Sequence, residues 1–269
     1  MYDFNYHEPK TLAEAAAALR TSRDGSFIAG GMSLIPALKQ RRAKPSDLID
    51  LRLIEGLSGI RREGSAVMIG AMTRHADVAD SALLRAAIPE LGRLVGEMAD
   101  PSVRNRATLG GSVAHGDPAA DYPPALLALG ATIITTDRTI AAADFFTGAF
   151  TTALRRGEII TAVSFPIPQT AAYLKFSNTA SRYAIVGVFV AKSGGDVRLA
   201  VTGAKACVFR LKEMEDALAK AFIPEAIESI AVTPSALNAD IHATPEYRAH
   251  LISVMARRAV AATAAKRQN

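Results

Sequence analysis

The stretch that most constrains this chain is Ser26-Phe27-Ile28-Ala29-Gly30-Gly31-Met32-Ser33-Leu34-Ile35-Pro36. Phe27, Ile28 and Ala29 predict a short buried strand. Gly30 and Gly31 then remove two side chains where the chain turns, leaving two backbone N–H groups uncovered. Ser33 suits a helix N-cap, and Pro36 falls in the first turn, where a missing N–H is harmless. The helix is expected to continue to Arg42 and to stop at Lys44-Pro45. Free N–H groups at a helix start suit a phosphate. From this stretch alone, an ordinary strand-to-helix corner reads the same way.

A second glycine pair tips the reading. Thr108-Leu109-Gly110-Gly111-Ser112 has the same shape as Ala29-Gly30-Gly31-Met32-Ser33, with a hydroxyl beside bare backbone. Two such loops suit the two phosphates of a dinucleotide, gripped from opposite sides. Neither fits Gly-x-Gly-x-x-Gly with its following acidic residue, nor Gly-x-x-x-x-Gly-Lys-Ser/Thr. A nicotinamide Rossmann site and a Walker ATP site are therefore disfavoured.

The elements around the loops divide the chain. Residues 1 to about 55 predict a small βαβ unit: a strand at Phe4 and Tyr6, a helix capped by Thr11 with Glu14 three residues on, and a strand at 47–51. From 56 to 168 come strands at 65–71, 131–135, 140–142 and 159–165, with helices after Thr73, at 81–87, 89–98 and 122–129. Asp144 is expected to cap Phe145-Phe146. Pro166-Ile167-Pro168-Gln169 reads as a linker. Residues 169–269 follow as a smaller α+β domain, with strands at 172–177, 183–192 and 197–203 and helices at 211–221 and 244–265.

Composition narrows the function classes. With 269 residues, 49% hydrophobic and 21% charged, the chain has core enough for one large domain or two modest ones. No apolar run is long enough to span a bilayer, and the N-terminus shows no secretory pattern, so a cytoplasmic location is expected. The net charge of +5 is spread without a dense Lys/Arg run, which argues against nucleic acid and suits a bound pyrophosphate. The single cysteine excludes an intrachain disulfide, a zinc cluster or an iron–sulfur cluster held by this chain alone. Cys207 is expected to be a buried small hydrophobe. The histidines show no metal-ligand spacing, and His115 beside Asp117 is poor support for an acid–base pair.

Over nearly its whole length the chain resembles the FAD-binding medium subunit of the molybdenum hydroxylases, the group of aerobic carbon monoxide dehydrogenase and xanthine dehydrogenase. The resemblance rests on Phe4-x-Tyr6-x-x-Pro9, Ala29-Gly30-Gly31-x-Ser33-Leu34 and Gly70-Ala71-Met72-Thr73-Arg74-His75. It continues in Val103-Arg104-Asn105-x-Ala107-Thr108-Leu109-Gly110-Gly111, Asp117-Pro118-Ala119-Ala120-Asp121, Gly203-Ala204, Arg210-x-x-x-Met214-Glu215-x-x-Leu218 and Tyr247-Arg248-x-x-Leu251. It implies an α+β fold: a two-lobed FAD-binding domain of the p-cresol methylhydroxylase/xanthine dehydrogenase flavoprotein type over 1–168, with lobes of about 1–55 and 56–168, then a small α+β domain over 169–269.

It also implies that both loops hold the FAD pyrophosphate, through Ala29, Gly30, Gly31, Met32, Ser33 and Leu34 and through Ala107, Thr108, Leu109, Gly110, Gly111 and Ser112. By resemblance, Asp121 sits near the ribityl chain with Asp117 adjacent, Lys175 reaches towards the flavin, and Tyr183 shields its ring. Met32, Ser112 and the acid-free segment Thr179-Ala180-Ser181-Arg182-Tyr183 depart from the family pattern. The implied assembly is a heterotrimer unit. A large molybdopterin subunit oxidises substrate, a small [2Fe–2S] subunit relays electrons, and this subunit passes them to NAD, quinone, oxygen or a cytochrome. No residue here is then catalytic for hydroxylation. A self-contained flavin oxidase or reductase and a flavin-free structural subunit are the rival expectations.

Overall fold

The computed structural model describes residues 1–265. The first lobe is a three-stranded parallel sheet with Asp47–Asp50 between Asn5–His7 and Gly25–Ile28. The helices Leu12–Thr21 and Leu34–Lys39 make the two crossovers. Thr11 caps the first as expected, its hydroxyl accepting from the Glu14 N–H at 3.1 Å. The second crossover is shorter than its sequence suggested, ending at Lys39 rather than Arg42.

The second lobe is an antiparallel sheet in the order Ile60–Glu63, Ala66–Gly70, Ile160–Pro166, Thr132–Thr135, Thr139–Ala141. The strand Ile60–Glu63 escaped the sequence because only Ile60 is apolar, and its side chains are mostly exposed. Two expected caps are absent. Thr73 does not cap the helix His75–Ala79; its hydroxyl instead accepts from the Gly59 N–H and donates to the Gly59 carbonyl, at 2.9 and 3.1 Å. Asp144 closes a 3-10 turn, Ala142–Asp144, and the chain then runs into a short strand, Phe146–Gly148.

The third layer is an antiparallel sheet of Thr170–Ser177, Ala184–Ser193, Asp196–Thr202 and Phe209–Arg210. One face packs Val186, Val188, Leu199 and Val201 against Met214 and Leu218 of the helix Lys212–Lys220 and Ile252 and Met255 of the helix Pro245–Ala265. The other face turns Tyr173, Phe189 and Ala200 onto the helix Tyr122–Leu129. That helix has all eight residues buried, as a helix enclosed by sheets on two sides must. The core of the five-stranded sheet therefore runs on into the four-stranded one. The whole is the α+β, two-lobed architecture that the resemblance implies. Cys207 is only partly buried, contrary to expectation.

Two features tie the second lobe to the third layer. The Thr202 hydroxyl bonds the carbonyls of Pro118 and Ala120 at 2.8 Å each, and the Gly203 N–H donates to Pro118 at 2.8 Å. On the helix Pro89–Gly96, Glu90 accepts from the Tyr173 N–H at 2.5 Å while Arg93 donates to the Tyr173 carbonyl. Side chains thus satisfy the backbone of an edge strand that has no further strand beside it.

Candidate cofactor site

The two glycine stretches meet. A Cβ on Gly30 would lie 2.2 Å from the Arg106 carbonyl oxygen and 2.7 Å from the Ala107 Cα. One on Gly111 would come within 3.3 Å of the Ala29 Cβ. The loops sit so close that side chains there would force them apart. Gly31 has φ +74°, a left-handed turn that a side chain resists. From it the Ile35 N–H returns to the Gly31 carbonyl at 2.9 Å and opens the helix Leu34–Lys39. Ser33 does not cap this helix: its backbone is already helical and its hydroxyl bonds no backbone N–H.

The loops differ in what they leave free. The N–H groups of Gly30, Gly31, Met32 and Ser33 have no acceptor among the described residues. In the second loop, contrary to the expectation of bare backbone on both sides, only the Thr108 N–H is without an acceptor among the described residues. Leu109 donates to Thr73 at 3.0 Å, Gly110 to Ala71 at 2.7 Å and Ser112 to the Thr108 carbonyl at 3.0 Å. Gly111 donates to the Thr108 hydroxyl at 3.2 Å, capping the helix Leu109–His115. The segment 71–75 runs antiparallel to 107–110 and takes up the Leu109 and Gly110 donors; the His75 N–H closes the ladder on the Ala107 carbonyl at 2.9 Å.

Between the loops, and reaching the third layer, lies a cavity of about 920 Å³. That is at the upper end for cofactor sites and matches a dinucleotide in scale. Ala29 to Leu34 line it, as do Ala107, Thr108, Gly110, Gly111, Ser112, Asp117, Asp121 and Tyr183. Two predicted residues do not. Leu109 is fully buried in the second-lobe core. Lys175 stands behind the wall, its Nζ donating to Asp121 Oδ2 at 2.9 Å and to the Arg182 carbonyl at 3.1 Å. Asp117 serves its own turn, accepting from the Ala119 N–H at 2.8 Å, and makes no bond with His115, whose ring packs on Phe150 instead.

Asp121 is the most constrained acid here. Burial pushes its carboxyl up, while Lys175 and the Tyr173 hydroxyl, which also bonds it, hold it towards the ionised form. Tyr183 is half-exposed at the rim. Its neighbour Arg182 has φ +62° and donates from Nη1 to the carbonyl of Ala99, which itself has φ +43°, at 2.9 Å. Both ends of this hydrogen bond across the rim are thus non-glycine residues in the left-handed region, where strain is held by the surrounding contacts.

The sequence did not single out three lining residues of note. His75 is buried beside Tyr122, and burial, helped by the nearby Arg104 charge, lowers its pKa to about 4. Glu158 is held down to about 2, chiefly by Arg138, which grips it through Nε and Nη2 at 3.0 and 3.2 Å. Arg182 is the third, and the only lysine or arginine among the described lining residues. His75 lay inside a quoted motif and Arg182 inside the quoted segment 179–183, but their places at the cavity, like that of Glu158, depend on contacts from distant segments.

These residues fit a dinucleotide. Four open amides on one wall face the Thr108 and Ser112 hydroxyls on the other, and the net positive charge of the chain is not concentrated between them. A pyrophosphate here would be held by hydrogen-bond donors rather than by ion pairs. Among the described residues, no group of acids, histidines and cysteine suits a metal, and no helix is long and apolar enough to cross a membrane.

Comparison with known proteins agrees. Residues 2–168 match the family model described as the FAD binding domain in molybdopterin dehydrogenase. The chain is 36% identical to the carbon monoxide dehydrogenase medium chain of Afipia carboxidovorans, over 99% of this chain and 98% of that one. It is 35% identical to the nicotine 6-hydroxylase medium subunit of Paenarthrobacter nicotinovorans, over 97% of each. Quinoline 2-oxidoreductase from Pseudomonas putida 86 superposes with a TM-score of 0.89 at 29% identity, over 98% of both chains.

Proposed function

The chain belongs to the FAD-binding medium-subunit family of the molybdenum hydroxylases, and from that membership we propose that it holds FAD between its glycine loops and passes electrons from a [2Fe–2S] partner subunit to an external acceptor. It is an electron-transfer FAD subunit of a molybdenum hydroxylase complex. The observation that carries the site is the row of open N–H groups from Gly30 to Ser33, facing a cavity of dinucleotide size.

In this reading the amides of residues 30–33 hold pyrophosphate oxygens, and the Thr108 and Ser112 hydroxyls approach from the other lobe. Asp121 lies by the ribityl chain, oriented by Lys175 and Tyr173, which oppose the upward push of burial on its carboxyl. Lys175 acts on Asp121 rather than on the flavin, and Tyr183 lies at the ring end. Bound there, FAD supplies a carrier that joins one-electron to two-electron partners. One cysteine cannot ligate a cluster, so the iron–sulfur relay is assigned to another polypeptide, and family membership assigns the molybdopterin to a further one.

The test is an absorption spectrum of the purified protein, with mass identification of what heat releases. FAD near one per chain, with substrate turnover only when iron–sulfur and molybdenum subunits are present, supports the proposal. One observation favours a second reading: Gly30 and Gly110 have packing reasons to be glycine without any phosphate. A colourless protein that takes up no FAD would establish that flavin-free structural role instead.

A further inference from the structure

Of the second loop's amides only that of Thr108 has no acceptor among the described residues, so its wall offers few backbone donors and side chains must add to them. His75 is the best placed. It is 5% exposed, lines the cavity, and is bonded through its own N–H to Ala107 at the start of that loop. Its Nδ1 is 3.5 Å from the hydroxyl of Tyr122, a fully buried residue. A buried hydroxyl hydrogen needs an acceptor, and among the described residues Nδ1 is the only one in reach. With Tyr122 donating to Nδ1, the ring's own hydrogen falls on Nε2. That Nε2 has no partner among the described residues. Nearby, Arg104 donates from Nη1 to the carbonyls of Met98 and Ala99 at 2.7 and 3.1 Å, and its charge acts on the ring.

We propose that neutral His75, oriented by Tyr122, donates its Nε2–H to a phosphate oxygen of the bound dinucleotide, making it the second lobe's counterpart to the open amides of residues 30–33. The inference rests on the FAD reading above. The imidazole needs no protonation to act. Satisfying the Tyr122 hydroxyl accounts for Nδ1 alone, whereas an anion between the loops would also give the Nε2–H its acceptor.

The test titrates FAD into the flavin-depleted complex by fluorescence. His75→Leu is expected to raise Kd roughly tenfold to a hundredfold, the loss of one hydrogen bond to a charged acceptor. His75→Gln, which keeps an N–H near the Nε2 position, should recover much of that loss. Tyr122→Phe should raise Kd a few-fold by freeing the tautomer. In parallel, 15N spectra of wild-type protein should show hydrogen on Nε2 and a shift of that nitrogen on adding FAD. Kd within twofold of wild type in His75→Leu, or an Nε2 resonance that ignores FAD, overturns the inference and leaves the FAD reading standing. If His75→Leu does not fold, the wild-type spectra and His75→Gln decide. Wild-type protein that binds no FAD overturns both.

Discussion

Gly30→Ala separates two reasons for a glycine at the first loop. If Gly30 serves only to let a phosphate approach, an added methyl leaves the empty protein unaffected. The packing says otherwise. The new Cβ would sit 2.2 Å from the Arg106 carbonyl oxygen, where ordinary contact begins at 3.4 Å. The neighbouring atoms are backbone, so the loops must part by about 1 Å. Overpacking of this kind costs about 1–3 kcal/mol, which for a chain of this size lowers Tm by roughly 2–10 °C. The same displacement carries the amides of 30–33 away from the second lobe and should weaken FAD binding by about a hundredfold. Gly31→Ala is the control: it is strained by φ +74°, but its methyl meets the Ile35 Cδ1 at 2.6 Å, the free end of a side chain that can turn aside. The assay is thermal unfolding of flavin-free protein by circular dichroism, beside FAD titration. A flavin-free Gly30→Ala protein with Tm within about 1 °C of wild type, and FAD binding lost, would refute the packing argument.

Lys175→Met leaves the Asp121 carboxylate buried without its cation and should cost about 3–5 kcal/mol at neutral pH, with Asp121→Leu in the same chain restoring much of it. The carboxyl is pushed further up without Lys175, so the deficit in thermal melts should be smallest in acid and grow as pH rises. Glu158→Gln should cost about 1.5–3 kcal/mol at pH 7. Because the folded value of about 2 lies below the ordinary 4.5, the stabilisation from Glu158 is complete above 4.5, and the gap between variant and wild type should close as pH falls through about 2 in acid unfolding curves. Arg182→Ala removes the bond to Ala99 and should speed amide exchange at 178–183 and 98–100 while shifting Tm by at most about 4 °C; unchanged exchange there would deny the rim contact any role.

Much of this molecule is legible locally. The helix Tyr122–Leu129 follows from Pro123 and Pro124 at its start and an unbroken apolar run, and the Thr11 cap follows from its spacing to Glu14. Caps failed where a hydroxyl had a better partner from afar: Thr73 is 14 residues from Gly59, which takes both of its hydrogen bonds. The helix Leu109–His115 was hidden because two glycines argue against helix, yet Thr108 caps it and the ladder with 71–75 holds its first turn.

By itself, the sequence determined most of the order of elements, the two glycine pairs and the set of motifs that mark the family, because periodicity, caps and turns act over a few residues. Only the tertiary structure decided which loop keeps its amides open, that Lys175 faces Asp121 instead of the cavity, that Arg182 bonds Ala99, and that His75 stands at the wall. Each of those depends on a partner brought from another segment. A donor's freedom is a property of what surrounds it, and the chain neighbours of Gly30 and Gly110 look alike.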